Sequence, residues 1–127
     1  MNPHGLTADE HYTTAYDLYL IFNEAMKYDK FKEIIHMTDY SSAYADRDGN
    51  IKNLDFKSTN RFINGDLESP NKVNVIGGKT GTTNAAGSCL ILLSNDASGN
   101  PFISVVLQAN DRDSLYSDMV DLLEEIK

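Results

Sequence analysis

Lys79-Thr80-Gly81 is the one tripeptide of this chain whose residue types promise chemistry at a single point in space. It stands within Gly77-Gly78-Lys79-Thr80-Gly81-Thr82, at the end of an extended run from Val73 to Thr80. Three readings compete. A phosphate loop requires a glycine five residues before the glycine that precedes the lysine, and a helix after it. Here that position is Val73 and a second extended run follows, so a phosphate loop is excluded. The structural reading makes Gly77, Gly78 and Gly81 the marks of a twisted edge and Lys79 a solvated charge. The third reading is a ligand-binding strand. An ammonium and a neighbouring hydroxyl at the end of a strand can hold a carboxylate by charge-assisted hydrogen bonds. An edge strand can pair with an extended peptide, and Gly81 leaves room for its close approach. The backbone N–H of Thr82 can serve as half of an oxyanion hole, worth roughly 3 kcal/mol in acyl transfer. The triplet alone does not separate the last two readings.

These residues must be positioned by the elements around them. Residues 2–12 read as a loop. Thr13 or Thr14 caps a helix, with Asp17 in a capping-box position, and Ala15, Leu18, Ile21, Phe22, Ala25 and Met26 mark its apolar face to about Lys27 or Tyr28. Asp29 is read as the cap of a second helix reaching His36, with Phe31, Ile34 and Ile35 as its apolar side. Thr38–Ala45 and Ile51–Lys57 read as strands joined through Asp46-Arg47-Asp48-Gly49-Asn50, an Asp-Gly hairpin signal. A helical turn at Thr59–Ile63 and a polar loop at Asn64–Lys72 lead into the strands Val73–Thr80, Ser88–Asn95 and Pro101–Ala109. A closing helix carries Leu115, Met119, Leu122, Leu123 and Ile126 along one stripe. The expected class is α+β: helices, an antiparallel meander, then a helix lying on the sheet.

Composition narrows the function classes. The 127 residues fit one domain or part of a larger one, and a net charge of -8 argues against nucleic acid as a partner. Cys89 is the sole cysteine, which rules out an internal disulfide and cysteine-based metal sites; it is read as a buried, inert thiol. No charged-apolar-small pattern is visible at the start of these residues, and no apolar run is long enough to cross a bilayer. Met1, followed at once by the loop-like Asn2-Pro3-His4-Gly5-Leu6, reads as an introduced start with an upstream portion absent. His4, Asp9, Glu10 and His11 lack the spacing of a shared metal-binding face, so no metal and no cofactor is expected. The Asp46–Asn50 stretch is not a calcium loop: its glycine, Gly49, stands fourth rather than sixth, and Lys57 stands where a glutamate should close the loop. Arg61 is read as a surface charge able to help hold a carboxylate, and Tyr12, Tyr16 and Tyr19 as packing or helix-surface residues.

Larger blocks decide between the readings of the triplet. Asn2-Pro3-His4-Gly5-Leu6, Tyr12-Thr13-Thr14-Ala15-Tyr16-Asp17-Leu18, and Lys79-Thr80-Gly81 through Ala86-Gly87 occur in that order. Together they resemble the C-terminal half of the transpeptidase-like domain of D-alanyl-D-alanine carboxypeptidases, the low-molecular-mass penicillin-binding proteins of peptidase family S11. These enzymes combine Ser-x-x-Lys, Ser-x-Asn and Lys-Thr-Gly motifs. The resemblance implies a fragment of a β-lactamase/transpeptidase-like fold, with residues 1–127 forming the C-terminal part of one domain. It implies a serine acyl-enzyme acting on peptidoglycan stem peptides ending in D-Ala-D-Ala, open to β-lactam antibiotics, on the outer side of the bacterial cytoplasmic membrane. Lys79, Thr80 and Gly81 would bind the substrate carboxylate, and Thr82 would add its backbone N–H to the oxyanion. His4 would lie in a loop bordering the site and Asp17 at its foot; a turn-stabilising His4 and a helix-capping Asp17 are equally open.

The nucleophile is not found in the chain. Ser69-Pro70-Asn71-Lys72 matches Ser-x-x-Lys, but a proline-containing loop running into a strand cannot put both side chains on one helix face. Ser58-Thr59-Asn60 resembles the family's Thr-Asn segment after the hairpin, and Ser98-Gly99-Asn100 is a turn that follows Lys79. The serine, its base and the second serine are therefore expected upstream, and these residues alone are expected to be inactive. A sheet without its upstream strands would leave an edge free for self-association. Two other readings stay open: a class A β-lactamase relative, and a non-enzymatic domain that binds cell-wall peptides or a partner chain.

Overall fold

The computed structural model describes residues 2–70 and 72–126, so Met1, and the Asn71 of Ser69-Pro70-Asn71-Lys72, lie outside the described residues. Two helices, α1 (Ala15–Ala25) and α2 (Asp29–His36), precede a hairpin of β1 (Asp39–Ala45) and β2 (Ile51–Lys57). A single helical turn, α3 (Arg61–Asn64), leads into β3 (Asn74–Thr83), β4 (Gly87–Asn95) and β5 (Pro101–Ala109), and α4 (Arg112–Glu124) closes the chain. The fold is α+β, as expected. Helix α2 starts differently from the expectation: Tyr28 is the N-cap and Asp29 lies in the first turn, where its carboxylate pairs with Lys32 at 2.9 Å.

The strands do not form one meander. β1 and β2 pair only with each other, and β3, β4 and β5 form a separate antiparallel sheet in the order β3-β4-β5. The hairpin's composition gives the reason. Its register puts Tyr40 opposite Phe56 and Ser42 opposite Leu54 on one face, with Ser41 opposite Asp55 and Ala43 opposite Asn53 on the other. A strand with one polar face cannot enter the middle of a sheet covered on both sides. Both hairpin turns follow one recipe: an Asp, two loop residues, then a Gly at φ 81 (Gly49) or φ 86 (Gly99), a three-residue loop with glycine in the left-handed region.

β4 is the spine of the core. Its alternation sends Leu90 and Leu92 to one face, where Leu115, Tyr116, Met119 and Leu123 of α4 cover them. Ile91 and Leu93 point to the other face, against Phe22 of α1 and Ile35 of α2. Complete burial of a leucine contributes about 2 kcal/mol, so this three-layer arrangement fixes the sheet from both sides. The apolar stripes expected on the helices are narrower than read. Ile21 is 63% exposed, Ile34 is 56% exposed and Leu122 is 40% exposed, because each flanks the face that meets the sheet. Among the described residues no helix is long and apolar enough to cross a membrane.

Candidate functional site

β3 is an edge strand whose glycines have separate tasks. Its pairing with β4 shifts between Val75 and Gly77, a bulge, and at that bulge α2 leans on the strand. A Cβ at Gly77 would lie 2.6 Å from the Ile35 carbonyl oxygen, and one at Gly78 would lie 2.3 Å from the Ile91 carbonyl oxygen. Only a residue without a side chain permits such close backbone approach. His36 closes the same junction, donating from Nδ1 to the Ile76 carbonyl at 2.7 Å. Gly81 differs: a Cβ there would meet nothing within 4 Å. Gly77 and Gly78 thus serve packing, and Gly81 keeps the outer face of the strand open.

The close approach of α2 shapes a groove of about 540 Å³ beside β3. Ile34, Ile35, Met37, Tyr40 and Phe56 give it an apolar wall, and Gly78, Lys79 and Thr80 line it from the strand. Lys79 is exposed and Thr80 half-buried; neither is walled off by other side chains. Lys30 and Lys57 also border the groove beside Asp39, but they pair with Glu33 at 2.7 Å and Asp66 at 3.8 Å. Lys79 forms no ion pair among the described residues, so its ammonium is the groove cation left to meet an anionic ligand. The Lys79 ammonium donates to the carbonyl of Thr80, so it already lies along the strand rather than reaching away from it.

The hydroxyl of Thr80 contacts that of Thr59, which the sequence reading did not assign to the site. Thr59 belongs to Ser58-Thr59-Asn60, recognised as the segment following the hairpin and given no part in binding. Hydrogen bonds from several elements hold this segment. Ser58 N–H donates to the Thr38 carbonyl at 2.7 Å. Asn64 donates to the Ser58 carbonyl at 3.1 Å. The Asn60 side chain caps α3 by accepting from Phe62 N–H at 3.1 Å. From α4, the buried Tyr116 hydroxyl donates to the Thr59 carbonyl at 3.3 Å and accepts from Arg61 N–H at 2.9 Å. The one signal in the sequence was a run of Ser, Thr and Asn ahead of a helical turn, which predicts capping and not a contact 21 residues away.

The remaining expected residues fall as follows. Thr82 is exposed on β3, opposite Ser88. Asp17 forms the capping box: its carboxylate accepts from Thr14 N–H at 3.1 Å, and Thr14 Oγ1 accepts from Asp17 N–H at 3.1 Å. His4 Nδ1 accepts from Leu6 N–H at 3.2 Å within its own turn, and it is not among the groove-lining residues. Arg61 is engaged by Asp113 at 2.8 Å and lies over the Tyr116 ring at 4.9 Å. Ser69 and Lys72 lie outside any helix, with Lys72 at φ 73. Ser98-Gly99-Asn100 sits in the β4–β5 turn, at the far end of the sheet from Thr80. Cys89 is half-buried and not buried as expected; its cross-strand partner is Gly81, which has no side chain to cover the thiol.

In an α+β fold, an edge strand thus presents an ammonium, a hydroxyl and an uncovered glycine to a groove. The model of the peptidase S11 family, D-alanyl-D-alanine carboxypeptidase, matches residues 1–111, and the chain belongs to that family. Among solved structures it is similar to a variant DD-transpeptidase from Streptomyces K15, with 26% identity and a TM-score of 0.77 over 94% of this chain and 43% of that one. It also shares the fold of a D-alanyl-D-alanine carboxypeptidase from Mycobacterium tuberculosis, at 22% identity and a TM-score of 0.65, covering 88% of this chain and 39% of that one. The chain therefore spans about two fifths of the length of these structures. No curated protein matches it.

Proposed function

We propose that these residues form the substrate-carboxylate half of a serine-type D-Ala-D-Ala carboxypeptidase active on peptidoglycan stem peptides. The carrying observation is the groove in which Lys79 and Thr80 stand together on an open edge strand. The peptide lies along β3, its terminal carboxylate taken by the Lys79 ammonium and the Thr80 hydroxyl through charge-assisted bonds. Gly81 admits its backbone, and the Thr82 N–H stabilises the oxyanion as the acyl bond forms. Acylation needs a serine activated by a nearby base. We assign that serine to chain beyond these 127 residues, since Ser69 and Lys72 share no helix. β-Lactams enter the same cleft, and the protein acts outside the cytoplasmic membrane. Family membership favours this reading over a β-lactamase relative.

Binding and acylation test the reading separately. A diacylated tripeptide ending in D-Ala-D-Ala, titrated into the isotopically labelled protein, is expected to shift the amide signals of β3. Lys79→Met should abolish the shift and leave the fold intact, because Lys79 is exposed. Labelled penicillin should not acylate the 127 residues; a stable penicilloyl adduct would restore Ser69 as a nucleophile and end the assignment above.

The exposed apolar side chains of α1 (Tyr16, Leu20, Ile21) and of the hairpin (Tyr40, Leu54, Phe56), together with the free edges of the sheet, also support self-association of this chain. Sedimentation velocity showing a monomer at every concentration would exclude it.

A further inference from the structure

We infer that Thr59 is a positioning residue for carboxylate recognition, setting the direction in which Thr80 donates its proton. The inference rests on the carboxylate clamp proposed above and adds a member to it. Thr59 and Thr80 meet hydroxyl to hydroxyl. Each hydroxyl has one proton and two acceptor sites, so the contact has two forms: Thr59 donates to Thr80, or Thr80 donates to Thr59. A carboxylate only accepts. In the second form the Thr80 proton is already spent and the ligand meets lone pairs. In the first, Thr59 donates to Thr80 and Thr80 donates to the carboxylate, a chain in which each bond polarises the next.

The anchoring of Thr59 makes it suited to this role. Its carbonyl accepts from the Tyr116 hydroxyl at 3.3 Å, and Tyr116 is buried against the core side of the sheet. On one side Ser58 is tied to the end of α2 through Thr38, and on the other Asn60 caps α3. The Thr59 hydroxyl is thus held at fixed height beside β3, while Thr80 is held by its pairing with Leu90. A hydroxyl on a rigid segment restricts the rotor of its partner, and the ordering cost is met before a ligand arrives.

The test compares Thr59→Val and Thr59→Ser with the parent protein, using the diacylated D-Ala-D-Ala tripeptide as the free acid and as its C-terminal amide, with affinities read from amide shifts. Valine keeps the shape of threonine and removes the donor. The free acid should bind Thr59→Val about five-fold more weakly, the worth of one ordinary hydrogen bond, with the amide unchanged and Thr59→Ser close to the parent. Equal affinity of Thr59→Val and the parent for the acid overturns the inference and leaves the clamp standing. Equal weakening of acid and amide in both variants also overturns it, since that is loss of packing. A parent protein that fails to prefer acid over amide removes the clamp, and this inference with it.

Discussion

Replacing Gly77 and Gly81 separately by alanine asks whether the glycines of β3 have the two distinct tasks described above. At Gly77 the new methyl carbon would sit 2.6 Å from the Ile35 carbonyl oxygen and 2.8 Å from its carbon. An ordinary carbon–oxygen contact is about 3.3 Å, so α2 must retreat by roughly 0.7 Å. The neighbours in the way are backbone atoms, which cannot swing aside as a flexible side chain would. The retreat strains the His36–Ile76 bond of 2.7 Å and loosens Ile35, which is buried between α2 and the sheet. Overpacking of this kind costs about 1–3 kcal/mol, and the loss of a hydrogen bond adds about 1 kcal/mol. Gly77→Ala is therefore expected to lose about 3 kcal/mol in urea unfolding followed by circular dichroism, at the upper end of these ranges. At Gly81 the methyl would meet nothing within 4 Å. Gly81→Ala should leave stability unchanged or raise it by about 0.5 kcal/mol through the stiffer unfolded chain, while weakening binding of the D-Ala-D-Ala peptide about tenfold by occupying the face along which it is proposed to lie. The reasoning is refuted if Gly77→Ala unfolds at the parent urea concentration, or if Gly81→Ala destabilises as much as Gly77→Ala does.

Leu92 is fully buried between the sheet and α4, so Leu92→Ala should cost about 3 kcal/mol by the cavity it leaves; a loss under about 1 kcal/mol in the same unfolding assay would mean that α4 is not seated on β4. The turn aspartates set the response to acid. Asp96 is held below the ordinary aspartate range by hydrogen bonds from the Asn100 side chain and backbone, Asp46 chiefly by the Asn50 backbone, and Asp111 by Ser114 N–H at the start of α4. Each carboxylate binds its proton more weakly when folded. Its stabilisation is full above the unfolded value near 3.9 and is lost as pH falls through the lower folded value. Melting temperatures should decline below about pH 4, and Asp96→Asn should flatten that decline; an unaltered acid limb would exclude Asp96 as a contributor.

Which parts of this architecture were legible in the sequence follows from the range of the forces involved. The Asp46–Asn50 turn, the turn at Ala97–Asn100, the capping box of Thr14 and Asp17, and the limits of β2 and β5 depend on neighbours within a few residues, and local residue types specify them. The separation of the hairpin from the main sheet does not. Tyr40, Tyr44, Leu54 and Phe56 alternate as they would on a buried face, and only the polar opposite face, read together with the α3 turn, shows that they cannot enter the second sheet. Tyr116 was missed for a related reason. It flanks the stripe of Leu115, Met119 and Leu123, and its burial depends on Arg61 and Thr59 offering its hydroxyl a donor and an acceptor.

The same distinction explains the site. Lys79-Thr80-Gly81 could be found because a strand places successive residues at fixed offsets, so a clamp made from one strand is written as one short word. A hydroxyl on another segment that steers that clamp has no such spelling. Thr59 reaches Thr80 only after β2 ends, α3 is capped by Asn60 and Tyr116 of α4 pins the loop from below. Three elements must fold before the contact exists, and each is stabilised by groups that would be present whether or not a ligand were bound. The residues proposed to bind a carboxylate are thus contiguous, while the groups that hold Thr59 against them are distributed through the fold. Substitution of Tyr116, which does not line the groove, should consequently change affinity for the free acid more than affinity for the amide.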